Sequence, residues 1–578
     1  MKKLSMFVLA LIAGVLTSVA QWGNNVEENV AIYTGETNEL EMAIAPNGNT
    51  WVYCQGPIED GKGTLGVFLQ LLDSAGNKLL GEEPLLLSNH PTRSWTTCNK
   101  YLLVDRDGNA VVAVHDIRNA PETQYLSYTL YKVSQTGEML WGEDGIGLEG
   151  TESFPMNSHI SIAQLDDNSY VCTWGSLKDN NNLYEVKMQR ISPEGEMLWN
   201  IADVCLTDPE NKISYTWPTV VDAGMNQAII IYFRGSSYDM YARKIDFDGS
   251  SVWKEDTRLY RAGWPGSVPA WSLIEVQPSG DGGALVVWTD DRYLTGSSTY
   301  MTYVKGNGEI GFAAGVDGQK LSYGDYLGTQ VTCKYDPHTD TFLAMWREAY
   351  SAVMFRSVAQ RLSKDGELLW GEEGIEIHPF TENQYGYFSI QTAPDGQAAF
   401  FYMHNQTQFT STDAGVTLLN TTDPTLRKDI IFTDTENVTV KADLISSALH
   451  DNSYWTVMWL DNYLYDDATV NVHRVNTDLT LGSRTDGAVE AVKNDNTVFS
   501  VVTDMVEGNT LFAVNTPVAM QASLAIYDMR GTLVAAPFNG MVDAGKQYIE
   551  WNANVPAGIY LATLTTANGV ETVKLLVK

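Results

Sequence analysis

The chain has 578 residues, of which 71 are acidic and 37 are basic, so its formal net charge at pH 7 is −34. A charge of this size repels phosphate backbones and anionic membrane surfaces, which argues against nucleic acid as a partner. The length exceeds that of one ordinary domain and predicts at least two folded parts.

The first twenty residues have the composition of a secretory signal. Two lysines precede an apolar run over residues 6–19, and Ser18-Val19-Ala20 is a small-residue cleavage site. This pattern predicts that residues 1–20 are a signal peptide that is removed on export. The apolar run is short for a bilayer span and no later stretch is longer, so we expect no membrane span in the mature chain.

Two sequence elements recur between residues 38 and 486. The first is Gly-x-x-x-Trp, which is clearest in Gly-Glu-Leu-Leu-Trp at 366–370 and returns at 137–141, 195–199 and 249–253. The second is a turn followed by an apolar strand that often ends in an aromatic residue. Its end positions recur at intervals of roughly 57 residues, which is the mark of a repeat array: 55, 115, 174, 232, 288, 346, 402 and 459.

Each repeat is predicted to form four short strands. Their β-branched and aromatic content and their Gly, Asn, Asp or Pro boundaries favour strand over helix. One unit reads as Ser158–Leu165, Ser169–Gly175, Leu183–Ile191 and Met197–Leu206. Eight four-stranded sheets at this spacing predict an all-β, eight-bladed β-propeller, with seven blades as the alternative.

Repeat eight lacks the Gly-x-x-x-Trp element, and the start of the mature chain resembles the missing piece. Trp22 stands in step with Leu80 and Trp141. We therefore predict that residues 21–37 supply the closing strand of the last blade. The recurring Trp itself is interpreted as a packing element between blades, since a bulky ring at one fixed position suits that role.

The repeats also resemble known families. Asp246–Trp253 and Ser192–Trp199 are similar to the tryptophan-docking repeats of quinoprotein-like propellers, and Trp288–Arg292 with Gln360–Leu362 resembles repeats of secreted Bacteroidetes propellers. The resemblance implies the fold. It implies no particular chemistry, because such repeats occur in enzymes, scaffolds and binding proteins.

Residues 487–578 have a different pattern, with alternating strands and Gly turns that predict a small Ig-like β-sandwich. Several motif residues resemble the type A C-terminal sorting domain of the Bacteroidetes type IX secretion system: Tyr527, Asp528, Gly531, Pro556, Gly558, Tyr560, Lys574 and Lys578. The resemblance implies a partner, the type IX secretion machinery. It also implies removal of this domain and release or attachment at the cell surface.

Connection lengths divide the predicted propeller into a face with tight turns and a face with long connections. Aromatic residues recur in the long connections and are the candidate ligand-binding residues: Trp95, Phe154, Trp217, Trp264, Trp271, Tyr326 and Tyr385. Such rings suit stacking on sugars or capture of a peptide. The alternative is that they pack beneath the loops as part of the repeat.

No motif assigns a catalytic residue or a metal site. The eight His residues lack metal-ligand spacing, no Gly-x-Ser-x-Gly elbow is present, and the five Cys form no Cys-x-x-Cys pair. Asp105–Asn109 and Asp246–Gly249 resemble calcium loops only weakly, and no cofactor is predicted. We predict a secreted or cell-surface protein that binds a glycan or protein without catalysis; the alternative is an extracellular polysaccharide hydrolase or lyase.

Overall fold

The computed structural model divides the chain into two compact units, residues 1–483 and 484–578. Each is all-β in its described residues. The residues that the structure describes are 22–58, 65–89, 101–116, 118, 127–148, 156–178, 183–236, 238–261, 274–292, 296–382, 384–407, 411–433, 439–462, 467–482, 499–501, 505–506, 509–516, 520–528, 532–542, 545–566 and 569–578.

The first unit contains eight antiparallel sheets, which we number in chain order. Sheet 1 contains β2 to β5 (Asn38–Ile44, Thr50–Pro57, Leu65–Leu72 and Leu85–Ser88), and sheet 2 contains β6 to β9 (Tyr101–Val104, Ala110–Asp116, Ser127–Val133 and Ile146–Gly147). Sheet 3 contains β10 to β12 (Met156–Gln164, Tyr170–Lys178 and Leu183–Ile191), and sheet 4 contains β13 to β16 (Tyr215–Asp222, Ala228–Arg234, Asp239–Ile245 and Thr257–Tyr260). In each of them, strands that follow one another in the chain pair side by side.

Sheets 5 to 8 follow the same order. Sheet 5 contains β17 to β20 (Glu275–Pro278, Ala284–Asp290, Ser298–Val304 and Gln319–Lys320), and sheet 6 contains β21 to β24 (Leu327–Asp336, Thr341–Ser351, Met354–Leu362 and Ile375–Thr381). Sheet 7 contains β25 to β28 (Gln384–Ala393, Gln397–Thr407, Ser411–Asn420 and Arg427–Ile431), and sheet 8 contains β29 to β31 (Ala442–Ser446, Tyr454–Asp461 and Thr469–Asn476).

The first strand of the chain completes sheet 8. β1, Val30–Thr34, pairs antiparallel with the last strand of that sheet, with Val30 opposite Val472 and Thr34 opposite Thr469. Sheet 8 therefore has four strands, of which one comes from the opposite end of the unit.

Sheet 3 differs from the predicted four strands. Residues 201–204 form the helix α1, Ile201–Val204, and the predicted strand makes only isolated bridges at its two ends, Met197 to Ile191 and Leu206 to Val186. The prediction of a strand over Met197–Leu206 is therefore wrong, because the Asn200 side chain accepts a hydrogen bond from Ala202 N and caps a helical turn instead. In the described part of the chain this is the only helix, and no helix there is long enough to cross a membrane.

The core of the first unit consists of eight apolar clusters, each shared by two sheets that are neighbours in the order 1 to 8. The eighth cluster joins sheet 8 to sheet 1 and includes Trp22, Ile32, Met42 and Val472. At each of the eight junctions the first strands of the two sheets also contact each other. Neighbouring sheets therefore pack side by side, and their first strands are in contact with each other.

The recurring Trp packs between sheets, as the repeat pattern predicts. The Trp141 indole donates to the Pro193 carbonyl oxygen at 3.1 Å, and a Cβ on Gly195 would lie 2.8 Å from its ring. Gly195 has a φ of 96°, so both its conformation and the close ring require glycine. The same indole–carbonyl bond recurs along the chain: Trp22 to Ser74, Trp199 to Phe247, Trp253 to Gly306 and Trp370 to Thr421.

The second unit has two sheets, and a single apolar cluster includes residues of both. One sheet has three strands and the other has five, in which β33 pairs parallel with β39. Its strands are β32 to β39: Phe499–Val501, Met505–Val506, Asn509–Thr516, Met520–Asp528, Leu533–Val542, Gly545–Asn552, Gly558–Thr566 and Gly569–Val577.

Candidate functional site

Six of the eight first strands contain the same irregularity near their start. The pairing with the second strand shifts register there, and one residue that is not glycine has a φ of about +50°, which is rare for such side chains. We call these the bulge residues: Glu39, His159, Trp217, Gln330, Tyr387 and Asp443. In sheets 2 and 5 the equivalent position lies outside the described residues.

The bulge residues share one end of the sheets. Because the first and second strands of each sheet are antiparallel, the start of the first strand lies beside the end of the second strand. The long connections leave from this end of the sheet, and the tight turns lie at the other end. Left-handed backbone at a non-glycine residue costs of order 1 to 3 kcal/mol, and such strain concentrates at functional sites. Because this strained conformation recurs in six sheets at the end with long connections, we take this end of the sheets as the candidate site.

Bulge residues also reach the next sheet. The imidazole Nε2 of His159 lies 3.3 Å from the Thr219 hydroxyl of sheet 4. A Cβ on Gly386 of sheet 7 would lie 2.5 Å from the Gln330 side-chain oxygen. Each of these two bulge residues therefore contacts the first strand of the next sheet beside that strand's own bulge residue.

Two of the bulge residues are carboxylates from sheets that adjoin, Asp443 of sheet 8 and Glu39 of sheet 1. Burial and the negative charge of Glu39 raise the pKa of Asp443 to about 6. A carboxyl group that keeps its proton up to about pH 6 beside a second carboxylate has the properties of a general acid.

The remaining bulge residues add an imidazole, an amide and two aromatic rings. Burial lowers the pKa of His159 to about 4, so this imidazole is neutral above that pH. The half-buried Trp217 ring stacks on Tyr238 with 5.4 Å between centroids, and Tyr387 is 45% exposed. This is the mixture of flat rings and hydrogen-bonding groups that suits a sugar ligand.

Polar side chains continue along the first strands beyond the bulges. Glu275 accepts a hydrogen bond from Gln277 at 2.9 Å, and burial raises its pKa. Burial likewise lowers the pKa of Lys334 on the neighbouring first strand. Ser389 and Ser446 lie 2.7 Å apart, on the first strands of sheets 7 and 8. The first strands thus carry titratable and polar groups along their length.

Of the aromatic residues predicted from the sequence, three lie in the described part of the chain. Trp217 is a bulge residue. Tyr385 is buried, and His378 and His404 cover its two ring faces at 4.6 and 4.8 Å between centroids, which leaves no face for a sugar. Tyr326 belongs to a surface cluster of sheet 6. The others lie outside the described residues: Trp95, Phe154, Trp264 and Trp271.

In the weak calcium motif at Asp105–Asn109, the Asp105 carboxylate is already bound by groups of the protein. The Asp105 carboxylate accepts hydrogen bonds from the Asn109 backbone and from the Tyr170 hydroxyl, and lies 3.2 Å from the Lys132 ammonium. Across the described residues no three His, Cys, Asp or Glu side chains are grouped as metal ligands.

Three cysteines of the described residues are too deeply buried to serve as reactive groups. Cys54, Cys172 and Cys333 are buried free thiols, and burial raises the pKa of Cys54 to about 12. A thiol of such high pKa is a poor nucleophile.

Sequence reasoning missed Glu39, His159, Gln330 and Asp443. They comprise two carboxylates, an imidazole and an amide, so no single motif marks them. The available signal was positional, because each stands at the same distance ahead of the first tight turn of its repeat.

No protein-family model matches the chain, and no curated protein matches it. Similar solved structures include a protein of unknown function from Dyadobacter fermentans, at 12% identity and a TM-score of 0.35, over 77% of this chain and 97% of that one. An endo-arabinase from Bacteroides thetaiotaomicron matches at 11% identity and 0.28, over 47% and 94%. An alpha-L-arabinanase from Penicillium chrysogenum, complexed with arabinobiose, matches at 12% and 0.32, over 56% and 93%. At these scores the likeness says nothing about activity.

Proposed function

We propose that the eight sheets of the first unit close into an eight-bladed β-propeller whose first strands line the axis. The apolar cluster between sheets 8 and 1 and the contacts between first strands at every junction support this closure. Pairing of β1 with sheet 8 supports the role assigned to residues 21–37.

We further propose that residues 487–578 form an Ig-like sandwich that serves as a type IX sorting domain, after export directed by residues 1–20. The Tyr560 hydroxyl donates to the Pro556 carbonyl oxygen at 2.8 Å, and Asp528 accepts from Thr532 N at 2.9 Å, which gives these motif residues roles within strand ends. The protein would then act at the cell surface or outside the cell.

For the first unit we propose hydrolysis of a neutral extracellular polysaccharide. The observation that carries this proposal is the pair of carboxylates, Asp443 and Glu39, held on strained bulges of adjoining sheets. Glycoside hydrolysis uses two carboxyl groups that flank the scissile bond, one protonated and one ionised. A neutral polymer fits because a chain of charge −34 repels uronic acids.

In this mechanism Asp443 is the acid. Its proton passes to the glycosidic oxygen as the bond from that oxygen to the anomeric carbon breaks. The ionised Glu39 stabilises the positive charge that develops on the sugar ring and accepts a proton from the attacking water, whose oxygen forms the new bond to the anomeric carbon. Both carboxyl groups then return to their starting states by exchanging protons with solvent. Because Asp443 has a pKa of about 6, activity should fall as the pH rises above that value.

The test measures reducing-sugar release from soluble arabinoxylan, β-glucan, galactomannan and arabinan. We expect Asp443→Asn and Glu39→Gln each to lower the rate at least about 100-fold, the usual effect of losing acid–base catalysis. Glu196→Gln, in an exposed tight turn, is the matched control and should leave the rate unchanged. Full activity in Asp443→Asn would overturn the assignment.

The second candidate is glycan binding without catalysis, which Trp217 and the exposed Tyr387 favour. Binding of a polymer by the unaltered protein, with no sugar released from it at any pH between 4 and 8, would establish this function instead. Loss of that binding in Trp217→Ala would place the ligand on the bulge residues.

A further inference from the structure

Three aromatic side chains form a cluster on the outer part of sheet 6. Tyr326 precedes β21, Tyr350 lies near the end of β22 and Phe380 lies near the end of β24. Their ring centroids are 5.2 to 6.1 Å apart, and each pair meets edge to face. We call these three residues the platform.

A buried ion pair supports the platform from one side. The Arg356 guanidinium carbon lies 5.1 Å from the centre of the Tyr326 ring and 4.9 Å from that of Phe380. The same guanidinium lies 2.6 Å from the Glu348 carboxylate, which also accepts a hydrogen bond from Trp346 Nε1 at 3.0 Å. These bonds hold Arg356, and through it the rings, in one arrangement.

Tyr350 is the exposed member of the platform, whereas Tyr326 and Phe380 are half-buried. Tyr350 is 70% exposed, and Val353 and Leu327 beside it in sheet 6 are 52% and 38% exposed. Tyr350 is the most exposed aromatic side chain among the described residues of the first unit; Phe247 and Tyr387 follow at 52% and 45%. A rigid aromatic surface that stays in water binds a flat ligand at little cost in conformational entropy.

The platform and the bulge residues lie at the same end of the sheets. The start of a first strand, the end of a second strand and the end of a fourth strand all fall at the end with long connections. Tyr387, the bulge residue of sheet 7, belongs to the sheet that follows the platform. A ligand that extends outward from the bulge residues along sheet 6 would therefore reach Tyr350.

We propose that the platform is an accessory subsite on which one sugar ring of a long glycan chain stacks, so that the substrate is a polymer rather than a short oligosaccharide. This inference rests on the proposed function of the bulge residues. The Glu376 carboxylate, 44% exposed, lies 3.5 Å from the Arg356 guanidinium that supports the rings, and its oxygens can also accept hydrogen bonds from sugar hydroxyls. A stable protein interface buries roughly 800 Å² on each partner. Three rings of which only Tyr350 is exposed offer less than this, which favours a glycan over a protein partner.

The test compares long and short substrates in Tyr350→Ala. We expect the KM for the polymer that the unaltered protein cleaves to rise about 3- to 10-fold, which is the effect of losing one aromatic contact. The kcat/KM for the matching p-nitrophenyl glycoside should stay unchanged, because that substrate is too short to reach the platform. Tyr350→Phe, which keeps the ring, should restore the polymer KM.

A binding measurement separates this inference from the hydrolase proposal. In affinity electrophoresis through gels containing the same polysaccharides, Asp443→Asn should be retarded, and adding Tyr350→Ala should reduce the retardation. Phe247→Ala, which removes an exposed ring from the face with tight turns, is the matched control and should have no effect.

Each outcome has a distinct meaning. Retardation that depends on Tyr350 without any sugar release supports the platform and overturns the hydrolase. Cleavage of a polymer with the same KM in Tyr350→Ala overturns the platform and leaves the hydrolase. Absence of both cleavage and retardation with every polymer overturns both, and a protein partner would then be sought for the exposed rings.

Discussion

Single tryptophans that dock on the neighbouring repeat account for much of the packing between sheets. Trp141 is 8% exposed, meets Tyr170 edge to face at 5.5 Å and donates to the Pro193 carbonyl. We expect Trp141→Ala to lower the free energy of unfolding by about 3 to 5 kcal/mol, since it leaves a cavity and removes one of the two hydrogen bonds that the Pro193 carbonyl accepts. Urea denaturation followed by circular dichroism measures the change.

Leu140, which precedes this tryptophan, provides the control. It is 41% exposed, so Leu140→Ala should change the stability by less than about 1 kcal/mol. If the two substitutions have equal effects, Trp141 does not hold the sheets together.

The raised pKa of Asp443 also affects stability. Because the folded chain holds this proton more tightly than the unfolded chain, the contribution is fully present below pH 4 and is lost as the pH rises through about 6. We expect Asp443→Asn to be more stable than the parent above pH 6, by about 3 kcal/mol at most. Thermal midpoints at pH 4 and pH 7, with Glu196→Gln as control, give the difference; a parallel shift at both pH values would contradict it.

For single residues, the sequence predicts which side chains pack between sheets better than it predicts which side chains belong to the candidate site. Trp141 and Trp253 stand at a position that is aromatic in most repeats, although Leu80 occupies it in the first. Glu39 and Asp443 are two of 71 acidic residues, and their left-handed backbone conformation has no counterpart in residue type. The chemistry of the candidate site therefore became visible only with the backbone geometry.

Among the elements, β1 has the largest expected effect. Deleting residues 22–34 removes the fourth strand of sheet 8 and Trp22 from the cluster shared with sheet 1. We expect the thermal midpoint to fall by more than about 5 °C, and binding of a hydrophobic dye to rise, because that cluster becomes exposed.

Trp22→Leu separates the strand from its tryptophan. This variant keeps the pairing with sheet 8 and loses only the indole contacts, so its midpoint should lie between those of the parent and the deletion. An unchanged midpoint in the deletion would show that β1 is dispensable.

Local hydrogen bonding explains where the strand prediction failed. Met197–Leu206 has the apolar content of a strand, yet Asn200 also binds Asp203 through its amide, at 2.9 Å, and stabilises a helical turn. A side chain that bonds to its own neighbours competes with the sheet for the backbone. Apolar content alone does not reveal this competition.

For the whole molecule, the periodicity of the sequence was sufficient to predict repeated four-stranded sheets. The interval of roughly 57 residues sets how much chain each sheet can contain. Contacts between side chains of different repeats, such as those within the platform, depend on exact geometry and do not follow from the period.

The net charge of −34 predicts a response to salt. Repulsion among the acidic residues destabilises the folded chain at low ionic strength, and added salt screens it. We expect the thermal midpoint at pH 7 to rise between 10 mM and 300 mM NaCl, and the rise to disappear near pH 4.5, the isoelectric point. A salt effect of equal size at both pH values would show that screening of net charge is not its cause.

The origin of sheet 8 determines when folding can finish. Val30 meets Val472, so the edge of that sheet stays uncovered until nearly the whole unit has been synthesised or translocated. A product cut short before residue 469 can never seal this edge, and it remains open to proteases and to pairing with other chains. The exposed edge of sheet 8 therefore makes an incomplete product more sensitive to proteases and more prone to associate with other chains than the full-length protein.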